Sequence, residues 1–147
     1  MHTSPKDVNR SITSLQLESV DHMIINQSWF AKRKLTIVFA FNDGVNPADI
    51  FDDYIRESIC KHRRSLGEIL VIGEEQYKSC FDGIRATFVS DQRHKIFRML
   101  GFEQEHVNSK VMIVHESGEV IKSMSFDGFT TDAIWYEVVA MLDLFLD

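Results

Sequence analysis

The chain has 147 residues, of which 44% are hydrophobic and 26% are charged. This composition suits one globular domain and excludes a disordered tail, a collagen-like repeat and a disulfide-stapled miniprotein. Lys and Arg number 16 against 22 Asp and Glu, so the formal net charge is −6. Because phosphate binding needs a basic face, this acidic balance argues against nucleic acid as a partner.

Every apolar run in the sequence is shorter than the roughly 18 residues that a membrane-spanning helix requires. Residues 1–15 are polar and lack the apolar stretch of a secretory signal. We therefore expect a cytoplasmic protein that does not bind membranes, although a signal peptide removed beforehand would leave the same sequence. No linker rich in Gly, Ser or Pro divides the chain, so we expect a partly ordered N-terminal arm over residues 1–28 and one domain over residues 29–147.

The first half of the chain reads as strand, helix, strand. Residues 15–30 are an amphipathic mixture, for which we expect a short helix followed by a turn at 26–28. Residues 35–41 are almost all apolar, which predicts a buried central strand. Asn46 suits the N-cap and Pro47 the first position of a helix that we expect to run to about residue 64. A second buried strand follows at residues 69–72.

The second half begins with residues 74–89, which carry no clear pattern beyond a short extended piece at 86–89. Ser90 suits the N-cap of a helix over residues 91–100, which Gly101 ends. Two apolar runs around a turn at 116–119 predict a β-hairpin, and a last helix covers residues 132–146. The order β-α-β-α-β-β-α predicts an α/β fold with a mixed four-stranded sheet and helices on both faces.

This order of elements is that of the thioredoxin-like fold. Residues 91–101 followed by residues 110–121 resemble the peroxiredoxin-type pattern, in which a helix ending in Gly precedes a hairpin. Trp29 before the central strand and the Ser117-Gly118 turn before a helix ending in Met-Leu-Asp are most similar to an uncharacterised thioredoxin-like family. Its members include single-domain bacterial proteins and the shared domain of some sushi-repeat extracellular proteins. The resemblance covers about residues 29–146 and implies a thioredoxin-like fold.

The resemblance also implies where an active site would lie. Thioredoxin-like oxidoreductases carry the reactive Cys in the loop after the first central strand, where a helix N-terminus stabilises the thiolate. The matching loop here has no cysteine, and residues 107–110 have no proline where the superfamily keeps a cis-proline. We therefore expect a degenerate, redox-inactive site formed by Asn42, Asp43, Gly44, Asn46 and Pro47.

The two cysteines, Cys60 and Cys80, are the remaining redox candidates, and we expect both to be free thiols. Cys60 falls late in the predicted helix, near the negative end of the helix dipole, which disfavours a thiolate. The basic residues 61–63 oppose that effect. Cys80 lies in the unassigned stretch, where it could be exposed.

A candidate partner face combines acidic and aromatic side chains. Four of the acids fall at helical offsets of three, four and eight and so share a flank, and two aromatics fall in the predicted loop before the last helix. EF-hand spacing, zinc-ligand pairs, a nucleophile elbow and a glycine-rich phosphate loop are absent from the sequence, so we expect no metal and no cofactor. The face consists of Asp49, Asp52, Asp53, Glu57, Phe126 and Phe129.

The sequence thus predicts a non-catalytic thioredoxin-like domain that binds a protein partner or a second copy of itself. Two alternatives stay open. One is a divergent thiol oxidoreductase or redox sensor that uses Cys60, Cys80 or both. The other is an immunity or regulatory protein that binds a basic partner through its acidic face, in which case the association weakens with salt.

Overall fold

The computed structural model of the protein describes residues 12–42, 44–49, 53, 56, 57, 61, 69–102, 107–126, 133, 136–140 and 144. Residues 53, 56, 57 and 61 are helical, as are 133, 136–140 and 144. Short 3₁₀ helices cover Ile12–Ser14, Pro47–Asp49, Glu75–Phe81 and Gln92–His94. The remaining elements, in chain order, are β1 (Leu17–Glu18), β2 (Ile24–Ile25), α1 (Gln27–Phe30), β3 (Leu35–Phe41), β4 (Ile69–Gly73), β5 (Ala86–Ser90), α2 (Lys95–Met99), β6 (Ser109–His115) and β7 (Val120–Phe126).

The main sheet has the strand order β5-β4-β3-β6-β7. Strands β3, β4 and β5 are parallel, whereas β6 and β7 run antiparallel to their neighbours. Every residue of β3 is buried, which explains why its sequence is a continuous apolar run rather than an alternating one. The predicted α/β class, the central strand and the hairpin are confirmed.

The sheet has five strands rather than the predicted four. Strand β5 pairs with β4 along its whole length, from Ile69 opposite Ala86 to Gly73 opposite Ser90. The sequence indicates only a short extended piece here because β5 has half-buried ends around three buried residues. Such a pattern carries little periodicity.

The N-terminal region also differs from the prediction of a short helix over residues 15–30. Strands β1 and β2 form an antiparallel pair, with Leu17 buried and Glu18 exposed, which is the two-residue period of a strand. Ser19 Oγ accepts a hydrogen bond from the Met23 backbone N–H at 3.0 Å and closes the connection. The backbone N–H of Val20 then donates to the Phe88 carbonyl at 2.9 Å, so this segment covers the outer edge of β5.

The core lies on both faces of the sheet. On one face, the odd-numbered side chains of β3 pack with Val138 of the last helical segment. On the other face, Val38 and Ala40 pack with Trp29 of α1 and Phe97 of α2. The predicted placement of helices on both faces is therefore confirmed. Within the described ranges, no helix has both the length and the apolar content needed to cross a bilayer.

Candidate functional site

The loop after β3 begins at the carboxyl end of the parallel strands, which is where ligands bind in open α/β sheets. Asn42 ties this loop to the segment before β6 by two hydrogen bonds. Its backbone N–H donates to the Asn108 carbonyl at 2.9 Å, and its Nδ2 donates to the Val107 carbonyl at 3.2 Å. The Asn42 carbonyl accepts in turn from the Val45 N–H at 3.3 Å, so the polar groups of Asn42 hold the loop closed.

Gly44 links the same loop to the end of β4. Its backbone N–H donates to Glu74 Oε2 at 2.9 Å, and its φ is +78°. A Cβ atom at this position would have open space around it. The left-handed backbone, and not crowding, is therefore what favours glycine here.

Asn46 and Pro47 begin the 3₁₀ helix Pro47–Asp49 as the sequence predicts for a helix start. Asn46 Oδ1 accepts from the Ala48 backbone N–H at 3.0 Å, and Pro47 is buried. The remaining member of the predicted degenerate site, Asp43, lies outside the described residues.

Cys80 lies beside this loop. It belongs to the 3₁₀ helix Glu75–Phe81, is half-buried and is a free thiol. Its Sγ is 3.9 Å from Asn46 Oδ1, and its side chain packs against the core cluster that contains Phe41. The sequence did not reveal this contact, because residues 74–89 carried no assignable pattern. Cys60 lies outside the described residues.

The structure describes only part of the predicted partner face. Asp53 and Glu57 are helical and exposed. Asp49 is the last residue of its 3₁₀ helix. Phe126 is the last residue of β7 and pairs with Ser109, so its predicted position in a loop is wrong. Neither side chain is among those described. Asp52 and Phe129 lie outside the described residues. The described part of the chain contains no group of three His, Cys, Asp or Glu side chains arranged to hold a metal ion.

A polar crevice of about 390 Å³ opens at the carboxyl ends of β4 and β5. It was not predicted from the sequence. It shares Glu74 with the loop after β3, which places the two features side by side. Its lining residues are Glu74, Glu75, Gln76, Ser90, Asp91, Gln92 and Arg93.

Asp91 lines this crevice and is only 1% exposed. Its Oδ1 accepts from the Ile96 backbone N–H at 2.7 Å, and its Oδ2 accepts from the Phe97 backbone N–H at 3.0 Å. Burial raises the pKa of the Asp91 carboxyl, and the two N–H donors and the electrostatic influence of the nearby His94 and Arg98 act in the opposite direction. Asp91, rather than the predicted Ser90, therefore caps the amides of α2. Both residue types are good caps, so the sequence alone does not separate them.

The backbone between Asp91 and α2 is left-handed at two consecutive positions. Arg93 has φ 58° and His94 has φ 47°. Non-glycine residues adopt this conformation at a cost of about 1–3 kcal/mol each when the surrounding structure fixes it. Here the Asp91 carboxylate reaches amides five and six residues ahead, so the intervening chain must coil back on itself.

Comparison with known proteins supports the fold. No family model matches the sequence, and no curated protein matches it. Among solved structures, a mutant of peroxiredoxin Q from Xanthomonas campestris superposes with a TM-score of 0.63 at 12% identity, covering 92% of this chain and 96% of that chain. A provisionally named thiol:disulfide interchange protein DsbE from Chlorobium tepidum gives a TM-score of 0.64 at 10% identity, covering 92% and 97%.

A provisionally named thioredoxin from Neisseria meningitidis gives a TM-score of 0.63 at 12% identity, covering 87% of this chain and 86% of that chain. At such low identities the likeness concerns the fold alone, and a shared fold does not imply a shared activity. The strand order, the helices on both faces and these superpositions lead to one conclusion: the protein has the thioredoxin-like fold.

Proposed function

We propose that the protein is a non-catalytic thioredoxin-like domain that binds a protein partner or a second copy of itself. The observation that carries this proposal is the set of hydrogen bonds that the loop after β3 makes with the rest of the protein. Residues 42–49 contain no cysteine. Asn42 bonds to the segment before β6, Gly44 to Glu74, and Asn46 to the first turn of its own 3₁₀ helix. These bonds support the proposal that the described part of this loop is a structural connection and does not present a nucleophile.

A thiol redox sensor is the second candidate, and the position of Cys80 favours it. The thiol sits at the same loop, with Sγ 3.9 Å from Asn46 Oδ1. Solved structures with this fold include proteins named as a peroxiredoxin and as a thiol:disulfide interchange protein. In this version Cys80, with or without Cys60, is the oxidised group.

Two finer proposals depend on the sequence alone. One is kinship with the thioredoxin-like family that shares its domain with sushi-repeat extracellular proteins. The other is an immunity or regulatory role through the acidic face, for which the exposed Asp53 and Glu57 are the described members. Neither version involves nucleic acid, a membrane, a metal or a cofactor.

Thiol reactivity separates the two leading candidates. The reduced wild-type protein, Cys60→Ser and Cys80→Ser are alkylated under native conditions, followed residue by residue by mass spectrometry, and assayed for turnover of hydrogen peroxide and of a small disulfide. We expect Cys80 to react more slowly than free glutathione at neutral pH, because its half-buried thiol is less accessible. We expect Cys60 to react slowly as well, because the sequence places it near the negative end of a predicted helix dipole, which disfavours a thiolate. The double variant Cys60→Ser, Cys80→Ser is assayed as the thiol-free control, and we expect no turnover above that of this control.

Rapid alkylation of Cys80 would instead put the redox sensor first if turnover disappears in Cys80→Ser and persists in Cys60→Ser. The two single variants are matched controls for each other, since each removes one thiol of the pair. In the non-catalytic case, both variants keep the fold and the association of the wild type.

A further inference from the structure

The segment around α2 concentrates positive charge on an acidic chain. Residues 92–102 contain two Arg, one Lys and one His and no acidic residue, whereas the whole chain has a net charge of −6. Arg93, Lys95 and Arg98 are exposed. We call these three side chains the basic rim, because Arg93 lines the polar crevice and Lys95 borders its extension toward α2.

We propose that the basic rim docks an acidic segment of a protein partner, whose carboxylates lie against Arg93, Lys95 and Arg98. This inference rests on the proposed binding function and names the surface and the chemistry of its partner. Arg side chains recognise carboxylates through paired N–H donors. Because these cations are exposed, salt screens their attraction for carboxylates, and the association depends on salt concentration.

The scaffold fixes where these cations are displayed. Phe97 is fully buried and Leu100 is 5% exposed, so the apolar side of α2 is held in the core and Lys95 and Arg98 face outward. The Asp91 carboxylate holds the first amides of α2. Because these contacts fix the backbone that carries the cations before binding, less binding free energy is lost to ordering of the loop when a partner segment binds.

The crevice beside the basic rim supplies neutral hydrogen-bonding groups for a peptide. Gln76, Ser90 and Gln92 line it, together with the buried Asp91. Its volume of about 390 Å³ lies within the range of ligand pockets, although a partner segment would fill it only in part. A peptide crossing this crevice can bond through its backbone amides while its carboxylates reach the rim.

The glutamates that line the crevice select against a long polyanion. The Glu74 carboxylate accepts hydrogen bonds from the Gly44 N–H at 2.9 Å and from Gln76 Nε2 at 3.4 Å. Glu75, in contrast, is exposed. A nucleic acid backbone would bring phosphates against Glu75 and against the net negative charge of the chain. A short acidic peptide can keep its carboxylates on the basic rim and avoid Glu75, so a protein segment is the partner that the charges favour.

The test uses a fluorescein-labelled peptide that alternates glutamate with serine, titrated with the full-length protein at low and physiological salt. Binding should weaken as salt rises. The triple variant Arg93→Glu, Lys95→Glu, Arg98→Glu should bind about tenfold more weakly or worse. The matched control Lys32→Glu, Lys34→Glu, Lys122→Glu changes the net charge equally at exposed sites away from the crevice, and it should bind within about twofold of wild type.

Two further variants keep the test decisive if the triple reversal disturbs folding. The double variant Arg93→Asn, Lys95→Gln removes two charges, and Asn tolerates the left-handed backbone at position 93. Its peptide binding should be about threefold weaker or worse. Glu75→Gln removes the repelling carboxylate and should strengthen binding about twofold. Weaker peptide binding by Glu75→Gln would overturn the proposal. Unchanged peptide binding by either one of these two variants would also overturn it.

Three other outcomes also overturn it: no binding of the peptide at low salt, equal weakening in the Lys32, Lys34 and Lys122 control, or tighter binding of single-stranded DNA than of the peptide. The thiol assays test the proposed non-catalytic function separately from this docking surface. Inert thiols with no peptide binding leave the non-catalytic function standing and remove only this surface. If the thiols catalyse turnover, the non-catalytic function is ruled out, whatever the result of the peptide-binding assay.

Discussion

Asp91 Oδ1 accepts a hydrogen bond from the backbone N–H of Ile96 at 2.7 Å, across five residues of chain. The usual helix cap bonds an amide two or three residues ahead. Here a fully buried carboxylate does so from the end of β5, and its second oxygen bonds Phe97. One side chain thus joins the sheet edge to the first turn of α2.

Removal of this carboxylate should destabilise the protein. We expect Asp91→Ala to lower the free energy of unfolding by about 1–3 kcal/mol, because the half-buried Ile96 amide and the buried Phe97 amide lose their acceptor. Urea denaturation followed by far-UV circular dichroism measures it. Ser90→Ala is the matched control, and we expect a change within about 0.5 kcal/mol, since Ser90 is not the cap. A larger loss in Ser90→Ala than in Asp91→Ala would contradict the assignment.

The titration of Asp91 gives a second expectation. Its pKa in the folded protein is raised above the usual 3.8 by burial, so the folded state binds this proton more tightly than the unfolded state. The part of the Asp91 contribution that depends on this proton is therefore fully present below pH 3.8 and is lost as pH rises through the raised value, in addition to whatever the two hydrogen bonds contribute at each pH. Asp91→Asn cannot titrate at this position.

The difference in unfolding free energy, wild type minus Asp91→Asn, should accordingly decrease as pH rises from about 3.8, the ordinary value for this carboxyl, toward neutrality. Paired urea titrations across this range measure the difference. An increase with pH would mean that the two N–H donors outweigh burial and lower the pKa of the carboxyl in the folded state.

The β6–β7 turn depends on glycine at position 118. Gly118 has φ +92°, and a Cβ there would lie 2.6 Å from Gln27 Oε1. Gln27 Nε2 donates to the Ser117 carbonyl, so the side chain can move away only by giving up this bond. We expect Gly118→Ala to cost about 1–3 kcal/mol for the backbone and about 1 kcal/mol more for the lost bond.

The double variant Gln27→Ala, Gly118→Ala tests the second part, because without Gln27 the added methyl meets no amide. Thermal or urea unfolding of the four proteins in this cycle should give a coupling of about 1 kcal/mol. Gly83→Ala is the control for backbone strain alone, since its φ is +85° and a Cβ there has open space. Additive losses in the cycle would show that Gln27 does not constrain the turn.

Asn42 should be structural rather than functional. We expect Asn42→Ala to lower the free energy of unfolding by about 1 kcal/mol through the lost Nδ2 bond to Val107, and to leave partner association unchanged. Asn108→Ala is the control, because Asn108 receives its bond from Asn42 through the backbone and its side chain is exposed. A loss of association in a stably folded Asn42→Ala would indicate that the loop itself contacts the partner.

The central strand could be predicted from the sequence, whereas the edge of the sheet could not. Leu35–Phe41 is buried on both faces, and this leaves a continuous apolar run that few other structures produce. Strand β5 lies at the edge, and its half-buried Ala86 and Ser90 dilute any pattern. At the N-terminus, strands β1 and β2 of two residues each are too short for a period to be recognised.

The candidate site, too, could be predicted from the sequence only in part. The loop at Asn42–Pro47 could be located because a resemblance fixes its place after the central strand. Cys80 lies 34 positions from Asn46 in sequence, and their contact depends on how the 3₁₀ helix Glu75–Phe81 returns to the sheet. A 3₁₀ helix leaves no reliable periodicity, so neither this contact nor the crevice beside it has a local signal.

The contacts of the N-terminal segment have a consequence for the order of folding. Gln27 bonds Ser117 across 90 positions, and Val20 bonds Phe88 at the far edge of the sheet. A chain synthesised from its N-terminus therefore exposes β1, β2 and α1 long before their acceptors exist. Closing such loops precedes any gain from the contacts they permit, which slows folding. We therefore expect β1, β2 and α1, which are made before these acceptors, to be among the last of the described elements to reach their native place.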